Sequence, residues 1–148
     1  MATVELRFSA LPAHVRTARL VAASLARRAG VADGLLDEVR LAVGEACLRA
    51  VGLHARSGVG DAVEVRLHAD ARRFSVEVAD GVPRAQSTAA AENGTQYGRT
   101  GEALLDADPD DLGDSLALAL ITGLVDDVEV RPNPDGAVVR MSWPVGLP

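Results

Sequence analysis

Lysine is absent from this chain, and all 15 basic residues are arginine. That excludes a lysine-dependent phosphate loop and Schiff-base chemistry, which both need an amine. Cysteine is almost absent as well. The lone Cys47 excludes an internal disulfide and any cysteine-based structural zinc site. Aromatic side chains make up only 3% of a chain that is 48% hydrophobic, so the core has to be built from Val, Leu, Ala and Ile. No apolar run approaches the roughly 20 residues that span a bilayer, and the N-terminus carries no secretory apolar segment. The expectation is a cytoplasmic protein without a membrane partner. A net charge of −6 and a pI near 5.0 argue against nucleic-acid binding.

At 148 residues the chain fits one domain, with no internal repeat and no linker to divide it. Val4, Leu6 and Phe8 alternate with Glu5, Arg7 and Ser9, which predicts a half-buried strand. Pro12 suits the first turn of a helix. Val15, Ala18, Leu20, Val21 and Leu25 mark that helix, and Arg27, Arg28 and Gly30 supply its stop signals. Asp33 is placed to cap a second helix. Leu35, Val39, Ala42, Val43, Ala46, Cys47 and Ala50 give it a 3.6-residue stripe running to about His54, with Cys47 as a buried small hydrophobe. Alternation at Val63, Val65, Leu67 and at Phe74, Val76, Val78 predicts a hairpin closed at Asp70-Ala71. From about 81 to 113 the periodicity fades, and a stretch this long without pattern predicts a flexible lid. Ser115 is placed to cap a third helix carrying Leu116, Leu118, Leu120, Ile121, Leu124 and Val125. Two strands around Val128–Val130 and Ala137–Met141, joined at Asn133-Pro134-Asp135-Gly136, close the chain.

Runs of adjacent strands separated by helices predict an α/β (α+β) two-layer sandwich, a mixed, mostly antiparallel sheet with helices on one face. On the second helix Glu45 and Arg49 stand i,i+4 and so share a face one turn apart. A carboxylate there can act as a general base. An arginine beside it cannot bind a metal and brings a fixed positive charge. It can pair with Glu45 along the helix or with an anionic ligand. His54, in the last turn, is expected to serve the helix end. Trp143 is expected in the core or at an interface edge.

The string Leu36-Asp37-Glu38-Val39-Arg40-Leu41-Ala42-Val43-Gly44-Glu45-Ala46-Cys47 resembles the second helix of the anti-sigma-factor serine kinases of the GHKL ATPase superfamily. Asp80-Gly81 is similar to the start of that family's Asp-x-Gly-x-Gly box. Leu120-Ile121-Thr122-Gly123-Leu124-Val125-Asp126-Asp127-Val128-Glu129-Val130 is similar to its closing helix and strand. The likeness runs from Leu6 to Trp143 apart from the lid and implies the histidine-kinase-like ATPase fold. It also implies Glu45 as the general base and Asp80 as the reader of the adenine amino group.

The departures fall on the nucleotide pocket. Arg49 stands where the family carries the asparagine that binds magnesium. Val82 and Arg84 replace the two glycines of the Asp-x-Gly-x-Gly box. Ser115-Leu116-Ala117 replaces the Gly-x-Gly that lets backbone N–H groups approach phosphate. With Arg49, Asp80, Val82, Arg84, Ser115 and Ala117 as the pocket positions, no cofactor and no metal are expected.

The reading that follows is a cytoplasmic anti-sigma-factor-like regulator. It would bind a sigma factor or a STAS-domain anti-anti-sigma protein, with Arg16 and Arg19 on the partner-facing first helix and Arg27 and Arg28 extending the charged face. A homodimer through a sheet edge is implied by the same family. The alternative is an ATP-dependent serine/threonine kinase acting on a STAS protein, which would need ATP and Mg despite Arg49. A third reading has the pocket take a purine-like or acidic metabolite against Arg49, Arg84 and Asp80.

Overall fold

Alternation along every strand builds the sheet. The computed structural model describes residues 2–83 and 109–146, and the predicted lid lies outside them except for its ends. The elements are β1 (Ala2–Phe8), α1 (Val15–Ala29), α2 (Leu36–Ser57), β2 (Val63–Ala69), β3 (Arg73–Ala79), α3 (Pro109–Leu124), β4 (Asp127–Asn133) and β5 (Gly136–Pro144). The five strands lie in the order β1-β2-β3-β5-β4, and every neighbouring pair is antiparallel. The sheet is therefore wholly antiparallel rather than mixed.

One face of the sheet supplies the core. Val65, Leu67, Phe74, Val76, Val78, Val139, Met141 and Trp143 pack there against Ala22 and Ala26 of α1, Val39, Val43 and Cys47 of α2, and Leu118 and Ile121 of α3. The low aromatic content decides the packing: alanine stripes bring α1 and α2 close together over a thin layer of Val and Leu. Trp143 is buried in this layer, beside Phe74 at a ring-centroid distance of 6.2 Å. Its indole Nε1–H donates to Glu38 Oε1 at 2.9 Å, joining the end of β5 to the start of α2.

The other face is a charge ladder. Glu5, Arg66, Glu77, Arg140 and Glu129 stand directly opposite one another across all five strands, alternating in sign. Arg66 lies 3.1 Å from Glu5 and 3.9 Å from Glu77, and Arg140 lies 3.3 Å from Glu129. Exposed pairs of this kind contribute about 0.2–1 kcal/mol each. Their larger effect is to keep the open face hydrated and unfit for apolar packing.

Several local expectations are corrected by the backbone. Asp33 does not cap α2: it opens a single 3-10 turn, Asp33–Leu35, and the residue at the α2 N-cap, Leu35, makes no side-chain cap bond. Pro12 likewise opens a 3-10 turn, Pro12–His14, that feeds α1 at Val15. Helix α2 runs three residues beyond His54 and stops at Gly58, whose φ of 66° a side chain would resist. Ser115 lies inside α3, which begins six residues earlier at Pro109, a residue suited to the first helical position. The hairpin at Asp70 holds: Asp70 Oδ1 accepts from the N–H groups of Arg72 and Arg73 at 2.8 and 2.9 Å, and these two bonds lower its carboxyl pKa. No helix among the described residues is long and apolar enough to cross a membrane.

Adjacent residues of α3 test this packing. Ile121 is fully buried and Leu120 is 42% exposed. In urea unfolding, Ile121→Ala is expected to cost about 2–5 kcal/mol, and Leu120→Ala to stay within about 0.5 kcal/mol. Equal losses would place α3 differently on the sheet.

Candidate functional site

The inward face of α2 meets the end of β3, and Arg49 and Asp80 meet there. Arg49 Nη1 lies 3.6 Å from Asp80 Oδ2, and their side chains are only 3% and 1% exposed. That separation makes an ion pair rather than a direct hydrogen bond. Among the described residues this is the carboxylate within ion-pair distance of Arg49, so the helical pairing with Glu45 open at the sequence level is not the one formed.

Three further contacts fix Asp80. Its N–H donates to Ala137 O at 3.0 Å, tying it to β5. Its Oδ1 accepts from Val82 N–H at 3.1 Å. Gly136, the first residue of β5, lies against it so closely that a Cβ there would stand 2.5 Å from Asp80 Oδ1. Glycine is required at position 136 for space, not for its dihedral angles.

His54 completes the arrangement. Gly81 N–H donates to His54 Nε2 at 2.9 Å, so Nδ1 carries the proton and donates to Asp61 O, also at 2.9 Å. The ring is 1% exposed. Instead of serving its own helix end, it bolts the last turn of α2 to the loop before β2 and to the residue after Asp80. The helix-end carbonyl of His54 is satisfied by the Gly58 N–H.

The remaining predicted positions divide. Half-buried Glu45 lines a cleft of about 160 Å³ with Leu48, Arg49, Arg56, Gly113 and Ala117. Val82 is buried beside Asp80. Ser115 is half-buried within α3, and Arg84 lies outside the described residues. The sequence reading missed Arg56 and Gly136. Arg56 stands seven residues after Arg49, a spacing that keeps one helix face and would have revealed it. Gly136 read only as a turn residue, because its closeness to Asp80 depends on tertiary packing.

These residues do not fit a magnesium nucleotide. Arg49 has no lone pair to offer a metal. Both oxygens of Asp80 already face protein donors. Ser115 to Ala117 are helical rather than a glycine loop open to phosphate. A wider groove of about 580 Å³ lies at the strand ends, but Asp61, Glu64, Asp80 and Asp135 line it with Arg7, a charge balance that repels phosphate. Among the described residues no group of three His, Cys, Asp or Glu side chains could hold a metal ion.

The two partner-facing arginines also part company. Arg16 is exposed. Arg19 is half-buried, and its guanidinium lies over Gly44 of α2, where a Cβ would come within 2.9 Å of its Cζ. Arg19 is therefore partly an interhelical side chain. Cys47 lies beneath, fully buried. Burial pushes its thiol pKa up from 9.0 to about 12, with Arg19's charge opposing.

Two outcomes follow. Arg49→Asn removes the charge facing Asp80 and is expected to cost about 3 kcal/mol in urea unfolding. By calorimetry the variant should gain affinity for Mg-ATP if the rest of the pocket is intact, and no gain would show that the glycine losses alone close the site; unchanged stability would deny the pair its role. For Cys47, the folded state keeps a proton that the unfolded chain loses above its ordinary value of 9.0. Stability should therefore fall as pH climbs from about 9 toward 12. Cys47→Ala should lack that component, and parallel pH profiles would contradict it.

No individual curated protein matches the chain. The family model described as the histidine kinase-like ATPase domain matches residues 8–143, from the last residue of β1 to the buried Trp143 of β5. The antiparallel five-stranded sheet backed by helices is consistent with that fold. This chain belongs to the histidine kinase-like ATPase domain family, within the GHKL-type superfamily.

Proposed function

We propose that this protein is an anti-sigma-factor-like regulator that works by binding another protein, its nucleotide pocket closed by its own side chains. The observation that carries the reading is the buried Arg49–Asp80 pair. It engages the carboxylate that would read adenine, and it puts a cation where magnesium would sit. On this reading the pair would keep a phosphoryl group from being held beside Glu45, and the base would have nothing to act on. What remains of the fold's function is a surface.

Helix α1 supplies a surface of the right character. It carries Arg16, Arg19, Arg27 and Arg28 and no acidic residue, in a chain of net charge −6. The partner class is a sigma factor or a STAS-domain anti-anti-sigma protein, as the family resemblance implies. The setting is the cytoplasm, and β1 is an exposed edge strand available for a homodimer.

The test is affinity purification of the full chain from its native cells, with identification of what co-purifies and assay for bound nucleotide. The expected result is a stoichiometric sigma factor or STAS protein and no nucleotide. A chain that purifies alone with ATP or ADP, and phosphorylates a STAS protein on addition of Mg-ATP, would overturn the proposal in favour of the kinase.

A further inference from the structure

Helix α1 packs over β2 and β3, and its buried side is mostly alanine: Ala18, Ala22, Ala23 and Ala26. The edge strand β1 is covered less well. Its inward residues Val4, Leu6 and Phe8 are all half-buried, while Val65 and Leu67 of the neighbouring β2 are fully buried. Where α1 ends, this shortfall leaves a hollow of about 310 Å³. Leu25, Arg28 and Ala29 of α1 line it, with Val4 of β1, Leu67 of β2 and Phe74 of β3. Phe74 opens β3 and Asp80 follows its last residue, so the hollow and the Arg49 site lie at opposite ends of that strand.

The hollow reaches the core. Leu67 and Phe74 are 2% and 1% exposed, whereas Val4 and Leu25 are half-buried. Its volume falls within the roughly 300–1,000 Å³ of small-molecule sites. Water there finds few polar partners, and an apolar guest gains by displacing it.

The charge at its edge has one sign. Arg28 is exposed, and among the described residues no carboxylate lies within ion-pair distance of it. His68 also borders the hollow, but its Nδ1 shares a 2.8 Å hydrogen bond with Thr3 Oγ1, so the imidazole is already engaged. Asp70, two residues further, is not part of the wall and spends Oδ1 on the N–H groups of Arg72 and Arg73.

The geometry points to this hollow as a binding site for a medium-chain aliphatic carboxylate. Its tail lies against Val4, Leu25, Leu67 and Phe74, and its head pairs with the Arg28 guanidinium. The class follows from the wall. Apart from Arg28 and the engaged His68 it is apolar, with nothing to orient a sugar, a nucleoside or a peptide backbone. A straight alkyl chain needs no such partners, and the one free cation selects an anionic head. This inference does not depend on the proposed protein-binding function.

The test is calorimetry on the full chain with hexanoate, heptanoate and octanoate below micelle formation, beside octanol and octylammonium. One carboxylate should bind per chain, with affinity rising about fourfold for each added CH₂. Octanoate should bind about tenfold more tightly than octylammonium, and Arg28→Gln, at an exposed position, should remove that preference while leaving octanol unchanged. Leu25→Trp should fill the hollow and abolish binding. Methyl NMR shifts on adding octanoate should centre on Val4, Leu25 and Leu67. Heat from no probe, equal binding of octanoate and octylammonium, or shifts centred on the exposed Leu116 and Leu120 would overturn the site. Binding that weakens as chain concentration rises would mean that a second copy fills the hollow, and that also overturns it.

Discussion

A buried ion pair organises the working end of this molecule. Charges taken out of water recover their desolvation cost only with good partners. Arg49 and Asp80 are each almost wholly enclosed, so each commits the other to its place. The consequences spread through contacts. Asp80 is pressed on Gly136 and bonded to β5, and the next residue, Gly81, is held by His54 from the last turn of α2. One helix is thereby fastened to two strands and two loops at the point where the family fold keeps a ligand. On the proposed reading this converts a nucleotide site into a structural joint.

That conversion suits the rest of the architecture. The core is thin and made of small aliphatic side chains, which lets α1 and α2 approach closely across Ala22, Ala26 and Gly44. The sheet, in contrast, closes its outer face with a row of alternating charges that no second sheet could cover without desolvating all of them.

Much of this was legible in the sequence, and the failures have a common cause. Alternation in β1, β2 and β3 and the 3.6-residue stripes of α1 and α2 are local signals that burial on one face imposes, and they placed those elements well. The pairing of Arg49 was not legible, because its partner is 31 residues away and helix spacing points instead to Glu45. His54 read as a helix-end residue for the same reason: its bonds to Asp61 and Gly81 exist only once β2 and β3 have formed. Ser115 and Asp33 carry good capping chemistry, yet 3-10 turns and an earlier start at Pro109 took the helix ends elsewhere. Arg19 was read only as part of a charged, partner-facing helix face. The absent side chain of Gly44 drew it across the helices.

The account's centre is that Arg49 and Asp80 act as one unit. A double-mutant cycle with Arg49→Met and Asp80→Asn, read by urea unfolding, measures that directly. The two single changes should each be costly and the double change much less than their sum, giving a coupling of about 2–3 kcal/mol. Costs that add to within about 0.5 kcal/mol would mean that the two residues are neighbours without being partners, and the closed-pocket interpretation would fail.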